Sequence, residues 1–224
     1  DMLNTKEEIE KWLNEYEIKN FVINADLTVD VNGHVNLEYN IIKEFPFQFG
    51  VINGDFNCSY NDLTSLKNGP KKVNGGFNCY NNNLTSLEYC PKEIGGYLDC
   101  SCNELINLKY CPKEIGGYLN CSCNELTSLE YCPKEIKEFL KCSYNQLINL
   151  KHCAEIILGD FDCSDNYIES LKYLPKEIEG GFNCCNNKKI KKEYLSDFNS
   201  NVKGYIFSDF GDKDVFLNEV IKQR

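Results

Sequence analysis

The sequence predicts a solenoid of short stacked coils, with a parallel β-sheet along its length, an extended or 3₁₀ outer wall, and an α/β cap at each end. Three observations carry that prediction. The stretch GGYLDCSCNELINLKYCPKEI (95–115) is followed at once by a near copy, GGYLNCSCNELTSLEYCPKEI (116–136). Cys58, Cys79, Cys100, Cys121, Cys142, Cys163 and Cys184 recur at intervals of 21 residues, and Asn40, Asn61, Asn82, Asn103, Asn124, Asn145, Asn166 and Asn187 keep the same step. Apolar columns run in phase with both: Val35, Phe56, Phe77, Leu98, Leu119, Leu140, Phe161 and Phe182 lie two residues before the cysteine slot, which Leu37 fills in the first unit.

The elements follow in chain order. At the front, TKEEIEKWLNEY reads as an amphipathic helix, with Thr5 as N-cap, Glu8 completing a capping box, and Ile9, Trp12, Leu13 and Tyr16 on one face. Two short strands, around 21–23 and 27–31, lead into the first coil. In each unit the apolar-x-Cys segment alternates with period two, as a half-buried strand does. The asparagine then sits where the chain leaves the strand, so its amide can satisfy backbone groups of the turn and of the adjacent rung. Proline at 70, 91, 112, 133 and 175 rules out a regular helix on the return wall. Gly-Gly before the strand is expected to supply a tight corner with positive φ. Glu88, Lys109, Glu130 and Lys151 alternate in sign down one column and are expected to pair from rung to rung. At the back, Asp212 caps a helix with Phe216, Leu217, Val220 and Ile221 on one side. Residues 1–32 are thus an N-terminal helix and hairpin cap, 33–190 the repeats in about eight rungs, and 191–224 a C-terminal cap.

The unit L-x-C-x-x-N-x-L-x-x-L followed by Cys-Pro resembles the leucine-rich repeat. More narrowly, it resembles the short Cys/Asn-rich leucine-rich-repeat proteins of bacteria and their phages. That resemblance covers about residues 33–190 and implies a leucine-rich-repeat solenoid with its sheet on the concave face. It adds little about activity.

Composition narrows the function classes. The formal net charge is −10, and residues 1–32 alone carry eight acids against three lysines. Nucleic-acid binding draws most of its affinity from Lys and Arg on phosphates, so an acidic chain is a poor candidate. No apolar run reaches the ~20 residues that span a bilayer, and no signal peptide opens the chain. Neither nucleic acid nor a membrane is expected as a partner. The fourteen cysteines suggest a disulfide framework at first sight, but one per repeat in strict register reads instead as small hydrophobes in equivalent core slots. Reduced thiols point to the cytoplasm, with a secreted effector as the alternative.

Catalytic motifs are not found. His34 and His152 are the only histidines. His152 falls in an outer slot otherwise held by tyrosine, and no Gly-rich phosphate loop or G-x-S-x-G is present. Cys100-Ser-Cys102, Cys121-Ser-Cys123 and Cys184-Cys185 lack the C-x₂₋₄-C hooks of structural zinc. No enzyme activity, cofactor or metal is expected. The strand residues that face outward give the candidate binding positions. Tyr97, Tyr118 and Phe139 make an aromatic stripe, flanked by Asp99, Lys141, Asp160 and Asp162, with Tyr80 in a third outward column that is mainly serine. Around Phe139 the repeat departs from its pattern: Lys137-Glu138 replaces Gly-Gly, Ala154 replaces proline, and Lys141 is the single cation of its column. The expected function is a monomeric, non-enzymatic scaffold that binds a protein partner through the concave sheet face. The alternative is a structural or self-assembling repeat protein.

Overall fold

A computed structural model describes residues 2–224. They wind into a parallel β-solenoid of about nine turns. One nine-stranded sheet runs its length, built from two-residue strands that begin at Val35, Phe56, Phe77, Leu98, Leu119, Leu140, Phe161, Phe182 and Ile206. Each strand pairs in parallel with the residue 21 positions on, as far as Phe182. The last step, Phe182 to Ile206, is 24.

The return wall is extended, and it also pairs from rung to rung, which the sequence reading does not anticipate. Strands at Phe49–Ile52, Lys72–Val73 and Glu93–Ile94 form one parallel run; those at Glu135–Ile136, Ile156–Ile157, Glu177–Ile178 and Asn201–Val202 form another. An isolated bridge, Ile94 to Ile115, extends the first run by a rung. The apolar residue of each Glu-Ile pair points inward, so the two walls close on one core. A 3₁₀ helix occurs at Lys192–Asp197, beyond the repeats.

At the front, α1 (Lys6–Glu15) carries the expected reciprocal cap, Glu8 N–H to Thr5 Oγ1 at 3.2 Å and Thr5 N–H to Glu8 Oε2 at 3.1 Å. Ile9 and Leu13 are fully buried, and Trp12 meets Phe47 edge-on at 5.2 Å. The hairpin β1 (Phe21–Ile23) and β2 (Val29–Val31) then hands the chain to the second wall. At the back, Asp212 caps α2 (Lys213–Gln223) through Val215 N–H. Phe216 and Val220 are buried, but Ile221 is 68% exposed. Leu217 is half-buried against the same core, so the expected four-residue stripe is corrected by one member, Ile221, which turns to solvent.

Two further expectations are corrected. The Gly-Gly corners do not have positive φ; Gly33 and Gly211 are the only described glycines that do. Their constraint is close approach between rungs: a Cβ on Gly96 would sit 2.7 Å from the Gly75 carbonyl carbon, and one on Gly54 equally close to Gly33. The positive-φ corners lie elsewhere, at the slot before each asparagine (Tyr60, Asn81, Cys102, Cys123, Tyr144, Asp165, Asn186) and at Tyr89, Tyr110, Tyr131, His152 and Tyr173. Likewise Glu88, Lys109, Glu130 and Lys151 are exposed and form no ion pair with one another; cross-rung pairs form instead at Lys72–Glu93 (2.6 Å) and Glu155–Lys176 (2.7 Å). In water the gain from an exposed pair scarcely offsets the ordering of two long side chains.

The asparagines fasten the coils together. Asn124 Nδ2 donates to Cys100 O of the preceding rung at 3.1 Å and to Cys121 O and Ser122 O of its own turn, while its Oδ1 accepts Leu105 N–H at 2.9 Å. Asn61, Asn82, Asn103, Asn145, Asn166 and Asn187 repeat the pattern. Asn40 has no coil before it to reach; it is exposed, its side chain donates to Glu38 O within its own turn, and its backbone N–H donates to Asn61 Oδ1 at 3.1 Å. Each missing partner of a buried polar group costs ~1–3 kcal/mol. Asn124→Ala should therefore destabilise the fold by about 3 kcal/mol and Asn40→Ala by less than about 1 kcal/mol. Denaturant melts of both variants check this, and equal losses would refute the ladder.

Eleven cysteines are buried and unbridged. In the strand column the thiol donates onward, as Cys58 Sγ does to Asn78 O (3.3 Å) and Cys121 Sγ to Lys141 O (3.4 Å). Burial pushes every one of these thiols up, Cys132 to about 12 and the others at least as clearly. The folded state therefore holds these protons more tightly than the unfolded chain, whose thiols ionise near 8.5. The thiols' contribution to stability should be constant below about pH 8 and fall with each pH unit above about 8.5, by ~1.4 kcal/mol per buried thiol. Melting temperature against pH reads this slope, and Cys121→Ala should make it shallower.

Candidate functional site

Because successive strand residues face opposite sides, the residue before each core position points outward. That column runs His34, Asp55, Gly76, Tyr97, Tyr118, Phe139, Asp160, Gly181 and Tyr205. In its middle three rings lie nearly flat on one another: Tyr97 and Tyr118 have centroids 4.6 Å apart at 7°, Tyr118 and Phe139 4.2 Å apart at 13°. The rings half-bury one another, and the Lys141 ammonium lies 5.0 Å over Phe139.

The same small device occurs twice along the column. Asp55 Oδ1 accepts Gly76 N–H at 2.7 Å, and the Tyr97 ring occupies the space where a Gly76 side chain would be. Asp160 Oδ1 accepts Gly181 N–H at 2.7 Å, the Tyr205 ring covers Gly181, and the Tyr205 hydroxyl donates to Asp160 Oδ2 at 3.1 Å. Tyr205 escapes the sequence reading because its rung begins 24 residues on rather than 21.

Inside and outside are linked. Where the outward residue is Asp or Gly (55, 76, 160, 181), the inward neighbour is Phe56, Phe77, Phe161 or Phe182, and these stack within the core at 5.8 and 5.6 Å. Where the outward residue is aromatic (97, 118, 139), the inward neighbour is Leu98, Leu119 or Leu140. In three consecutive rungs the ring has moved from the core to the surface.

The other expected site residues divide. Asp99 and Asp162 are half-buried at the last position of their strands, where each opens an Asx turn: each accepts the backbone N–H of the serine two residues on at 3.0 Å, and that serine's hydroxyl as well. The expected outward serine column is thereby corrected, since Ser59, Ser101, Ser122, Ser143 and Ser164 are buried. The Ser59, Ser101 and Ser164 hydroxyls bend back to the Asx side chain, as in Ser59 Oγ to Asn57 Oδ1 at 2.7 Å, whereas Ser143 Oγ donates to Ser122 Oγ at 3.1 Å. Asp160 is exposed at the end of the stack. Tyr80 is not part of it; it meets Tyr60 edge-on at 5.0 Å at the far border of the sheet, where Tyr60 in turn stacks on Tyr39. Burial first, then the Asp99 carboxylate, pushes the Tyr118 hydroxyl up; burial, then Asp55 and Asp99, does the same to Tyr97. Both phenols therefore remain protonated donors on a face whose fixed charges are mainly negative.

Away from the stack, a broad hollow of about 1000 Å³ lies on the second wall between Lys72, Glu93, Glu114 and Lys134, over Gly95 and Gly116. It is open, of mixed charge and without aromatic residues. Among the described residues no three His, Cys, Asp or Glu side chains converge as metal ligands, and no helix is long and apolar enough to cross a membrane. Three cysteines leave the buried set: Cys123 is exposed, and Cys102 and Cys185 are half-buried. Comparison with family models, with curated proteins and with solved structures gave no match.

Brief alkylation of the native protein should label Cys123 first and Cys102 next, leaving the eleven buried thiols intact, since attack needs access as well as ionisation. Burial and a hydrogen bond with Cys102 push the Cys123 thiol up to about 11, so its labelling should accelerate steadily from neutral pH toward that value. Mass spectrometry of the labelled peptides is the readout, and uniform labelling of Cys58 through Cys184 would contradict the buried column.

Proposed function

We propose that the chain is a non-enzymatic recognition scaffold of the leucine-rich-repeat type, docking a protein partner on the concave, outward face of its nine-stranded sheet around Tyr97, Tyr118 and Phe139. The observation that carries this reading is the exchange of rings between core and surface. A phenylalanine in the core of those rungs would bury more apolar area than a half-exposed ring does, as Phe56 and Phe161 show by being fully buried. Leucine inside with an aromatic outside sacrifices that burial, and the return is a flat aromatic surface of the kind enriched at binding hot spots.

The same residues define the partner's chemistry. The stack offers a π-face about three rungs long, roughly 10 Å at ~4.8 Å per rung. Asp55, Asp99 and Asp160 border it, and Lys141 is the one cation in the adjoining column. An aliphatic or guanidinium group laid over the rings, with basic residues to either side, matches that surface. Paired strands and stacked rings hold the surface rigid, so little ordering cost falls on association.

Peptides selected from a random display library on the immobilised protein test the reading. They should be enriched in Arg and aromatic residues and bind more weakly as salt rises. Tyr118→Ala should weaken them by ~2 kcal/mol or more while costing at most ~1 kcal/mol of stability. Leu119→Ala, one residue along the same strand, should cost ~2–5 kcal/mol of stability and leave binding by the folded fraction unchanged. Peptides that bind folded Tyr118→Ala as well as the parent would move the site off this face.

A further inference from the structure

Cys102 and Cys123 occupy equivalent positions on adjacent rungs, and nothing in the repeat accounts for cysteine there. The slot is held at positive φ, 51° and 53° for these two, a conformation in which Asn and Asp are enriched among non-glycine residues. Other rungs fill it with Tyr60, Asn81, Tyr144, Asp165 and Asn186. Core packing does not explain the pair either, since Cys123 is exposed and Cys102 half-exposed, unlike the eleven buried thiols. The shared backbone conformation aims the two side chains the same way, so the two thiols influence one another's ionisation, with the Tyr80 hydroxyl of the preceding rung beside Cys102 as well. Cys102 N–H donates to Ser122 O at 3.0 Å, which holds the two rungs side by side. Neighbouring parallel strands lie ~4.8 Å apart, inside the ~4.4–6.8 Å Cα window of a disulfide.

We propose that Cys102 and Cys123 are a redox-active dithiol that closes to a disulfide across two rungs, with a small-molecule disulfide of the glutathione class as oxidant. The Cys123 thiolate, the more accessible, attacks one sulfur of oxidised glutathione, forming a mixed disulfide and expelling glutathione thiolate. The Cys102 thiolate then attacks the Cys123 sulfur, closing the bridge and releasing the second glutathione. Two electrons pass from the protein thiols to the small disulfide, and their two protons end on the two glutathione thiols. Proximity makes the second step intramolecular, so the mixed disulfide does not accumulate. Cys185 supplies an internal contrast: it is half-exposed, but Ser164 holds its slot on the preceding rung and the adjacent Cys184 thiol is buried in the core column, so no accessible thiol resolves a mixed disulfide there.

The test treats the folded, fully reduced protein with oxidised glutathione, quenches with acid and maps the peptides by mass spectrometry. A Cys102–Cys123 cross-link lacking two hydrogens is expected, with the eleven buried cysteines still thiols and any retained glutathione confined to Cys185. Cys102→Ser should instead hold one glutathione stably at Cys123, and Cys123→Ser should hold it at Cys102; circular dichroism confirms that both surface variants are folded. Stable glutathione on both thiols of the parent, a cross-link between two molecules through Cys123, or a bridge that appears only in denaturant would each overturn the proposal.

Discussion

Seven buried asparagines, each tied to the coil before it, set the geometry on which the rest of the molecule depends. A two-residue strand contributes very little pairing by itself, and a single coil cannot bury its apolar side. The asparagine removes both difficulties at one position. Its carboxamide has the donors and acceptor that a chain leaving a strand lacks, and it spends them across the rung boundary as well as within the turn. Once that bond fixes the step, every other column falls into line at the same interval. Leucine stacks on leucine and thiol on thiol, and the glycine corners approach so closely that a methyl group would not fit.

Exact stacking has a cost at the surface, because any side chain placed there is repeated beside itself. The chain handles this differently in different columns. Charges alternate or find partners off the column. Tyrosines at Tyr89, Tyr110 and Tyr131 turn outward on positive-φ corners and remain about half exposed. At 97, 118 and 139 three rings lie flat together in succession on the outward face of the sheet, the first completing one Asp-Gly-Tyr unit and a second such unit following the last. That concentration, and the leucines beneath it, is why the binding reading rests there.

Much of the fold was legible because repetition multiplies weak signals. One apolar-x-Cys triplet predicts nothing, whereas seven in register define a sheet and its inward side, and the capping box of Thr5 and Glu8 was readable from four residues. What escaped lacked a second, independent sign. The Lys-Glu-Ile segments recur at the same 21-residue step, but two residues are too short to show the period-two alternation of a strand, so the second wall's pairing was invisible. Gly-Gly was ascribed to backbone dihedrals when the constraint was a neighbouring backbone. Serine after Asp99 or Asp162 seemed outward by alternation, but an Asx turn ends the alternation at that residue. The stack itself was predictable from alternation at Tyr97, Tyr118 and Phe139; Tyr205 was not, because the three extra residues before it break the count.

The asparagine bonds also have a direction. Asn61 reaches back to Leu37 and Ile42, Asn187 to Cys163 and Ile168, and none of the seven reaches forward. During synthesis, therefore, each newly emerged asparagine finds its cross-rung partners already made, and its arrival completes the turn that preceded it. The N-terminal helix and hairpin, which cover the first coils, leave the ribosome before any coil needs them. A chain wired this way can be laid down like successive courses of masonry, with the growing edge as the only unfinished surface, and long-range closure never has to wait for the C-terminus.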